Sequence, residues 1–245
     1  MDHFSQPFLT AEWRYLAMLN YRVDSDILRT FVPRGTELDN FNGATFASMV
    51  GFLFLNTRVL GLRIPFHQNF EEINLRFYVR RKAEDGWRRG VVFIKEIVPR
   101  AAIALTARWL YNENYIAVPT GHVVSRSAND PKNVQSAKYY WTFGEREHFI
   151  ELVTQGAPRH FVEGSEEEFI AQHFWGYSSQ KDGGTVEYHV EHPAWRIWQA
   201  QSSCLVCDIE NLYGGQFSEF LQCAPSSSIL AEGSEIAVHK GERIL

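Results

Sequence analysis

No window of this chain approaches the 18 or more uninterrupted apolar residues that read as a membrane-spanning helix; the apolar run "FASMVGFLFL" ends in Asn-Thr-Arg. The amino terminus, "MDHFSQPFLTAEW", lacks the basic start and apolar stretch of a secretory signal. Basic charge is in deficit: 24 Lys and Arg stand against 29 Asp and Glu, a formal net charge of -5. That balance points away from nucleic acid and from an anionic membrane as partners. Cysteine is scarce, and Cys204, Cys207 and Cys223 make no disulfide framework. "CLVC" has no second pair to complete a zinc site, so the thiols are expected to be buried structural groups. Also missing are a GxGxxG after a strand, a P-loop, an HExxH and a GxSxG. The expectation is a soluble, cytoplasmic protein without metal or cofactor, for which a homo-oligomer is compatible with the sequence.

Hydrophobic residues make up 45% of the chain and aromatic ones 14%, enough for a substantial core. With no repeat, low-complexity tract or linker, residues 1–245 read as a single domain. Breakers recur at short intervals between β-branched and aromatic runs, which indicates a mainly antiparallel β architecture. Strands are expected over 14–22, 44–59, 70–81, 89–97, 116–126, 184–191, 195–208 and 234–239, with Asp-Gly hairpin turns at "AEDGW" and "KDGG". Helices are fewer. "DSDILRTFVP" has an Asp or Ser cap and a Val-Pro stop, "PRAAIALTARWLYN" a proline start, and "GSEEEFIAQHFW" a Ser165 cap with three first-turn glutamates; "GGQFSEFLQ" reads as a last short helix. "ATFASMVGFLFL" is apolar on both faces, so a second layer with helices should cover the sheet. The fold class is therefore β-rich α+β with a few peripheral helices.

"FHQNFEEINLRFYVRR" raises the functional question. Ile73, Leu75, Phe77 and Val79 alternate with Glu72, Asn74, Arg76, Tyr78 and Arg80, the period of a strand with two unlike faces. If the covering layer takes the apolar face, the polar face points inward and lines a pocket. Other clusters read more simply. His189 and His192 fall on opposite faces of a strand, which gives no metal pair; Glu187, His189 and Glu191 share a face that reads as a solvated edge. "EREHFIE" reads as a charged surface, and Trp195 and Trp198 as interior aromatics.

The stretch "WRYLAMLNYRVDSDILRTFVPRGTELD", with its strand ending in Tyr-Arg, Asp-x-Asp helix turn and Val-Pro stop, resembles the start of acetoacetate decarboxylase-like proteins. "SMVGFLFLNTRVLGLRIPFHQNFEEINLRFYVRR", "RGVVFIKEIVPR", "WGYSSQKDGGTVEYHVEHPAW" and "SILAEGSEIAVHKGERI" resemble the YqjF-like family of that superfamily, a domain of unknown function. The resemblance implies one domain built on a closed or nearly closed β-barrel. In true acetoacetate decarboxylases a lysine of depressed pKa forms a Schiff base with a β-keto acid, while arginine and glutamates orient the carboxylate and move protons. Carried over position by position, the first-strand arginine falls on Arg14 and a pocket glutamate on Glu72, with Glu71 open to the same role by a one-residue slip. The second glutamate falls near Ser48 and the lysine on Arg100. An arginine cannot form the Schiff base. Lys95, five residues earlier, shares Arg100's face only if a bulge intervenes.

These residues imply a cavity lined by Glu72, Asn74, Arg76 and Tyr78, joined by Arg14 and Arg100, that binds a small organic acid without Schiff-base decarboxylation. Two alternatives stand beside it. One is a lyase-type enzyme on a keto or hydroxy acid, with Glu72 (or, as a displaced nucleophile, Lys95) catalytic and Arg14 and Arg100 holding the anion. The other is an interaction protein whose barrel is filled by side chains.

Overall fold

The computed structural model describes residues 6–100 and 114–245. The described chain is strand-rich with few, short helices. Along the first half run β1 (Leu9–Val23), α1 (Ser25–Arg29), β2 (Glu37–Leu38), β3 (Thr45–Val59), β4 (Leu62–Arg63), β5 (Phe70–Ala83) and β6 (Gly86–Val98). Then come β7 (Tyr115–Ala117), β8 (Thr120–Arg126), β9 (Val134–Phe143), β10 (Arg146–His160), α2 (Glu166–Ala171), β11 (Trp175–Ser179), β12 (Thr185–Glu191) and β13 (Arg196–Val206). The end of the chain carries α3 (Ile209–Tyr213), a 3-10 turn (Gly215–Phe217), α4 (Ser218–Leu221), β14 (Ser227–Val238) and β15 (Glu242–Arg243). No described helix is long and apolar enough to cross a membrane.

The strands join one sheet in the order β15-β12-β11-β6-β5-β3-β1-β14-β13-β10-β9-β8, and β12 also pairs β14. The pairings β12-β11-β6-β5-β3-β1-β14-β12 therefore form a ring of seven strands. Its last link, the seam, consists of Val190↔Val238 and Glu191↔Ala237. From β14 the sheet continues through β13, β10, β9 and β8, which fold over one flank of the ring.

Two apolar clusters result. On the covered flank, Leu19, Met49, Ile73, Leu75 and Phe77 pack against Tyr139 and Trp141 of β9, Ile150 and Leu152 of β10, and Leu212, Phe217 and Phe220 of the last helices. The second layer is thus mostly strands, with helices as a supplement. Gly51 makes the approach feasible: a Cβ there would lie 2.8 Å from the Tyr139 ring. The second cluster, on the ring's other face, includes Leu16, Met18, Phe46, Val50, Phe52, Tyr78 and Ile229.

Most expected strands are present, with β7 and β8 dividing the one expected at 116–126. Six were not anticipated: β9, β10 and β11, and the two-residue strands β2, β4 and β15. "EREHFIE" is no mere surface, because it opens β10, where Phe149 and Glu151 alternate with buried Ile150 and Leu152. Gly144 and Glu145, both at positive φ, make the tight turn between β9 and β10. Helix caps follow expectation: the Asp24 carboxylate accepts from Asp26 N at 2.9 Å, and Ser165 Oγ accepts from Glu168 N at 3.2 Å. The short helix α3 was not anticipated, and the helix expected over 99–112 falls largely on residues outside those described. The thiols contradict expectation. Cys204, near the exposed end of β13, and Cys223, just past α4, are exposed, and only Cys207 is partly buried. Burial raises the Cys207 pKa to about 12.

Candidate functional site

Alternation in β5 sends its odd residues to the covered flank and Glu72, Asn74, Arg76 and Tyr78 to the other face, all four buried. Glu72 and Arg76 border a cavity of about 290 Å³. Its walls are mainly apolar: Trp13 of β1, Phe54 of β3, Phe70 of β5, Val91 and Phe93 of β6, Trp175 of β11, Val190 of β12 and Trp195. Thr57, His67, Glu96, Tyr115, His173, Tyr188 and His192 supply the remaining polar lining.

Glu72 carries the strongest chemical signal. Burial raises its pKa to about 7, against the opposing pull of the Asn74 amide, the Arg76 guanidinium and a hydrogen bond from Tyr115. Asn74 Nδ2 donates to Glu72 Oε1 at 3.0 Å. The carboxyl is thus poised between acid and base near neutrality. Glu71 faces the other way: it accepts from Thr120 Oγ1 at 2.8 Å and meets His122 Nδ1 at 2.6 Å. Burial pushes its pKa up, but those two partners outweigh it and hold the carboxyl below its usual range.

Arg76 is only 9% exposed. Its Nη2 meets Met18 Sδ at 3.8 Å, its Nε has no hydrogen-bond partner, and it makes no ion pair among the described residues. Tyr78 is buried on the same face, but its hydroxyl is engaged with Ser48 Oγ at 2.6 Å, which in turn donates to Asn20 Oδ1 at 2.7 Å. Its ring stacks on His173 at 4.6 Å. Ser48, the position resembling a pocket glutamate, thus serves a buried hydroxyl–amide chain.

Three expected residues lie elsewhere, and two β-bulges explain most of it. In β1, Arg14 opposes Leu53 while Ala17 opposes Gly51, so Tyr15 and Leu16 share one partner position. Tyr15 adopts φ 55. The extra residue reverses the alternation: Trp13 and Leu16 face the cavity side, and Arg14 turns out to pair with Glu12 at 2.8 Å. In β6, Phe93 opposes Arg76 and Lys95 opposes Leu75, leaving Ile94 as the extra residue. Lys95 therefore turns to the covered flank, where its Nζ donates to the Leu212 carbonyl, and burial lowers its pKa. Glu96, opposite Asn74, takes the cavity side instead. Arg100 lies past the end of β6 and is exposed.

Sequence reasoning missed Glu96, Tyr115, His173 and His192. Glu96 was hidden by the bulge; β7 brings Tyr115 beside it through the pairing Glu96↔Tyr115. His173 follows α2, one turn after Phe169, and their rings meet edge to face at 5.8 Å. Burial, with Arg89 and Arg76 nearby, holds its pKa well below the usual histidine range. His192 stacks on Trp195 at 4.2 Å, and burial lowers its pKa too. In both rings burial thus favours the neutral form. Glu187 is also corrected: far from solvated, its carboxylate is buried and meets Arg81 at 3.0 Å and Arg88 at 2.5 Å.

The fold is similar to that of several solved enzymes. The enduracididine biosynthesis enzyme MppR complexed with pyruvate superposes with a TM-score of 0.67 at 15% identity, over 98% of this chain and 92% of that one. Acetoacetate decarboxylase from Legionella pneumophila subsp. pneumophila str. Philadelphia 1 gives 0.66 at 12% identity, over 98% and 88%. An acetoacetate decarboxylase-like enzyme from Sphingomonas wittichii RW1 gives 0.65 at 12%, over 98% and 94%. At such identities the likeness is one of fold. A curated relative, the uncharacterized protein YqjF of Bacillus subtilis (strain 168), is 40% identical over 75 residues. That match spans 30% of this chain and 31% of the relative's length. Residues 10–235 match DUF2071, described as an uncharacterized conserved protein (COG2071), and with that match covering most of its length the chain belongs to this family.

Proposed function

We propose that the ring of strands closes into a β-barrel whose cavity binds a small organic acid, its carboxylate on Arg76 and its apolar body among Trp13, Phe54, Phe70 and Trp195. The observation that carries this reading is the state of Arg76: a buried guanidinium at the cavity wall, unpaired among the described residues. A buried charge without a partner is costly, and a carboxylate would accept from its fork at close range. The pyruvate named with MppR supports the same ligand class.

Glu72 favours a second reading, that the bound acid is also turned over. A carboxyl with a pKa of about 7 can take or return a proton at a carbon beside a carbonyl. In this lyase-type reading the anion rests on Arg76 rather than on Arg14 or Arg100. No Schiff base is involved, since Lys95 faces away.

The test is a thermal-shift series of keto, hydroxy and aliphatic carboxylic acids beside their amides. An acid at about 100 times its Kd adds roughly 2.7 kcal/mol, which at about 2–4 °C per kcal/mol raises Tm by several degrees. Amides should give no shift, and Arg76→Met should abolish the response to acids. Equal shifts for acid and amide, or an undiminished response in Arg76→Met, would sink the proposal. Turnover of any acid that binds, followed by proton NMR in wild type and Glu72→Gln, separates carrier from enzyme.

A further inference from the structure

The seam of the ring carries a second cluster, on the face away from the cavity. Along β12 and one residue past its end, Tyr188, Val190 and His192 line the cavity while His189 and Glu191 point the other way. His239, one residue past the end of β14, joins them. The side-chain donor atoms of His189, Glu191 and His239 all lie within 4.8 Å of one another. His239 Nε2 is 2.8 Å from Glu191 Oε1, and His189 Nδ1 is 3.9 Å from the same oxygen.

We propose that His189, Glu191 and His239 bind a divalent transition-metal ion of the zinc type, clamped across the β12–β14 seam. Two imidazoles and one carboxylate form a donor set that holds zinc with a further position open to water. Tetrahedral coordination at about 2.1 Å places donor atoms roughly 3.4 Å apart. Two of the three separations bracket that value already, and the half-exposed Glu191 carboxylate would exchange its contact with His239 for the ion.

The two imidazoles are positioned before any ion arrives. Their backbones are tied directly, His239 N donating to His189 O at 2.9 Å. The rings stack with centroids 5.6 Å apart, and Trp175 packs against His189 at 4.7 Å. Arg88 is the nearby cation that would oppose an incoming metal, but it is held in ion pairs with Asp85 at 2.9 Å and Glu187 at 2.5 Å. Glu191 also borders an open surface groove with Arg14 and Glu232, which gives the ion a route in from solvent.

The position suggests the role. The seam is held by two paired positions, whereas β1 and β3 share twelve. An ion gripping both strands would fasten one of the two shortest links of the ring without entering the cavity, so the inference stands apart from acid binding.

The experiment uses the tag-free full chain, stripped with chelator and titrated with Zn²⁺ by calorimetry and with Co²⁺ by visible absorption. The expected result is one ion per chain, a cobalt spectrum without thiolate charge transfer, and a raised Tm. His239→Ala and Glu191→Gln should each weaken binding on the order of 100-fold or abolish it, as loss of one ligand of three implies. Cys204→Ser/Cys207→Ser/Cys223→Ser should bind as wild type does, and melting of each stripped variant shows whether it folds. Absence of binding, binding unaltered in folded His239→Ala and Glu191→Gln, or binding lost with the thiols overturns the proposal.

Discussion

At the scale of single residues, a buried acid changes the pH response of the whole chain. The folded-state pKa of Glu72 is about 7 against an ordinary value of 4.5, so the native state holds this proton more tightly than the unfolded chain does. The sign follows: below about pH 4.5 both states are protonated and the group costs nothing. Stability then falls as pH rises from about 4.5 to 7, and above 7 the full cost of roughly 3 kcal/mol is present. Glu72→Gln should therefore be more stable than wild type at pH 8 by about 1–3 kcal/mol, and equal to it near pH 4.5, in urea denaturation. A glutamine variant weaker than wild type at pH 8 would mean that Arg76 and Tyr115 hold the carboxyl ionised. Glu187 offers the contrast. It is buried between Arg81 and Arg88, both about a quarter exposed, so Glu187→Gln should lower stability by about 1–3 kcal/mol after allowance for solvent screening. Both side chains sit in strands that the sequence reveals, but only Glu72 has an environment that could be read there. The arginines facing Glu187 come from β5 and β6, a long-range pairing that local alternation does not encode.

Among the elements, strands built on strict alternation were legible, and those interrupted or masked by charge were not. β5 alternates without interruption through Tyr78, so its cavity face was readable from sequence. β1 and β6 each hold one extra residue that reverses the alternation; Arg14 was expected in the cavity from the family resemblance, and Lys95 only if a bulge intervened, whereas Trp13 and Glu96 occupy it. β10 escaped notice because its solvent-facing charges were louder than the buried Ile150 and Leu152 between them, whereas β9, with Tyr139 and Trp141 buried, carries only one charge, Lys138, and was missed without that mask. The contact they make across Gly51 is testable. Gly51→Ala places a methyl 2.8 Å from the Tyr139 ring, an overpacking that should cost about 1–3 kcal/mol. Chemical denaturation reads that loss directly, and a neutral result would mean that the β9 layer yields easily.

Across the whole molecule, stability should be uneven around the ring. The seam between β12 and β14, like the β6–β11 link, holds only two residue pairs, so the His239 amide, which crosses it to His189 O, should exchange with deuterium faster than those of Met18 and Val50 at the centre of β1 and β3. Added zinc should slow the seam amides selectively if the ion sits where proposed; uniform protection would point to a different site. The ring itself was foreshadowed by one strand apolar on both faces, but the link that joins its ends was not, because two residue pairs leave no pattern in a sequence.

The bulge at Ile94 bears on how this chain is aligned with others as well as on its geometry. Its neighbours already pair with Arg76 and Leu75 as though it were absent, so a chain lacking Ile94 should still hold Glu96 in the cavity and Lys95 outside it. The residue behaves as an insertion absorbed in place. Any comparison of this chain with a relative that lacks it must open a gap there; without that gap, an amine is matched to a carboxylate, and every role inferred beyond it is displaced by one.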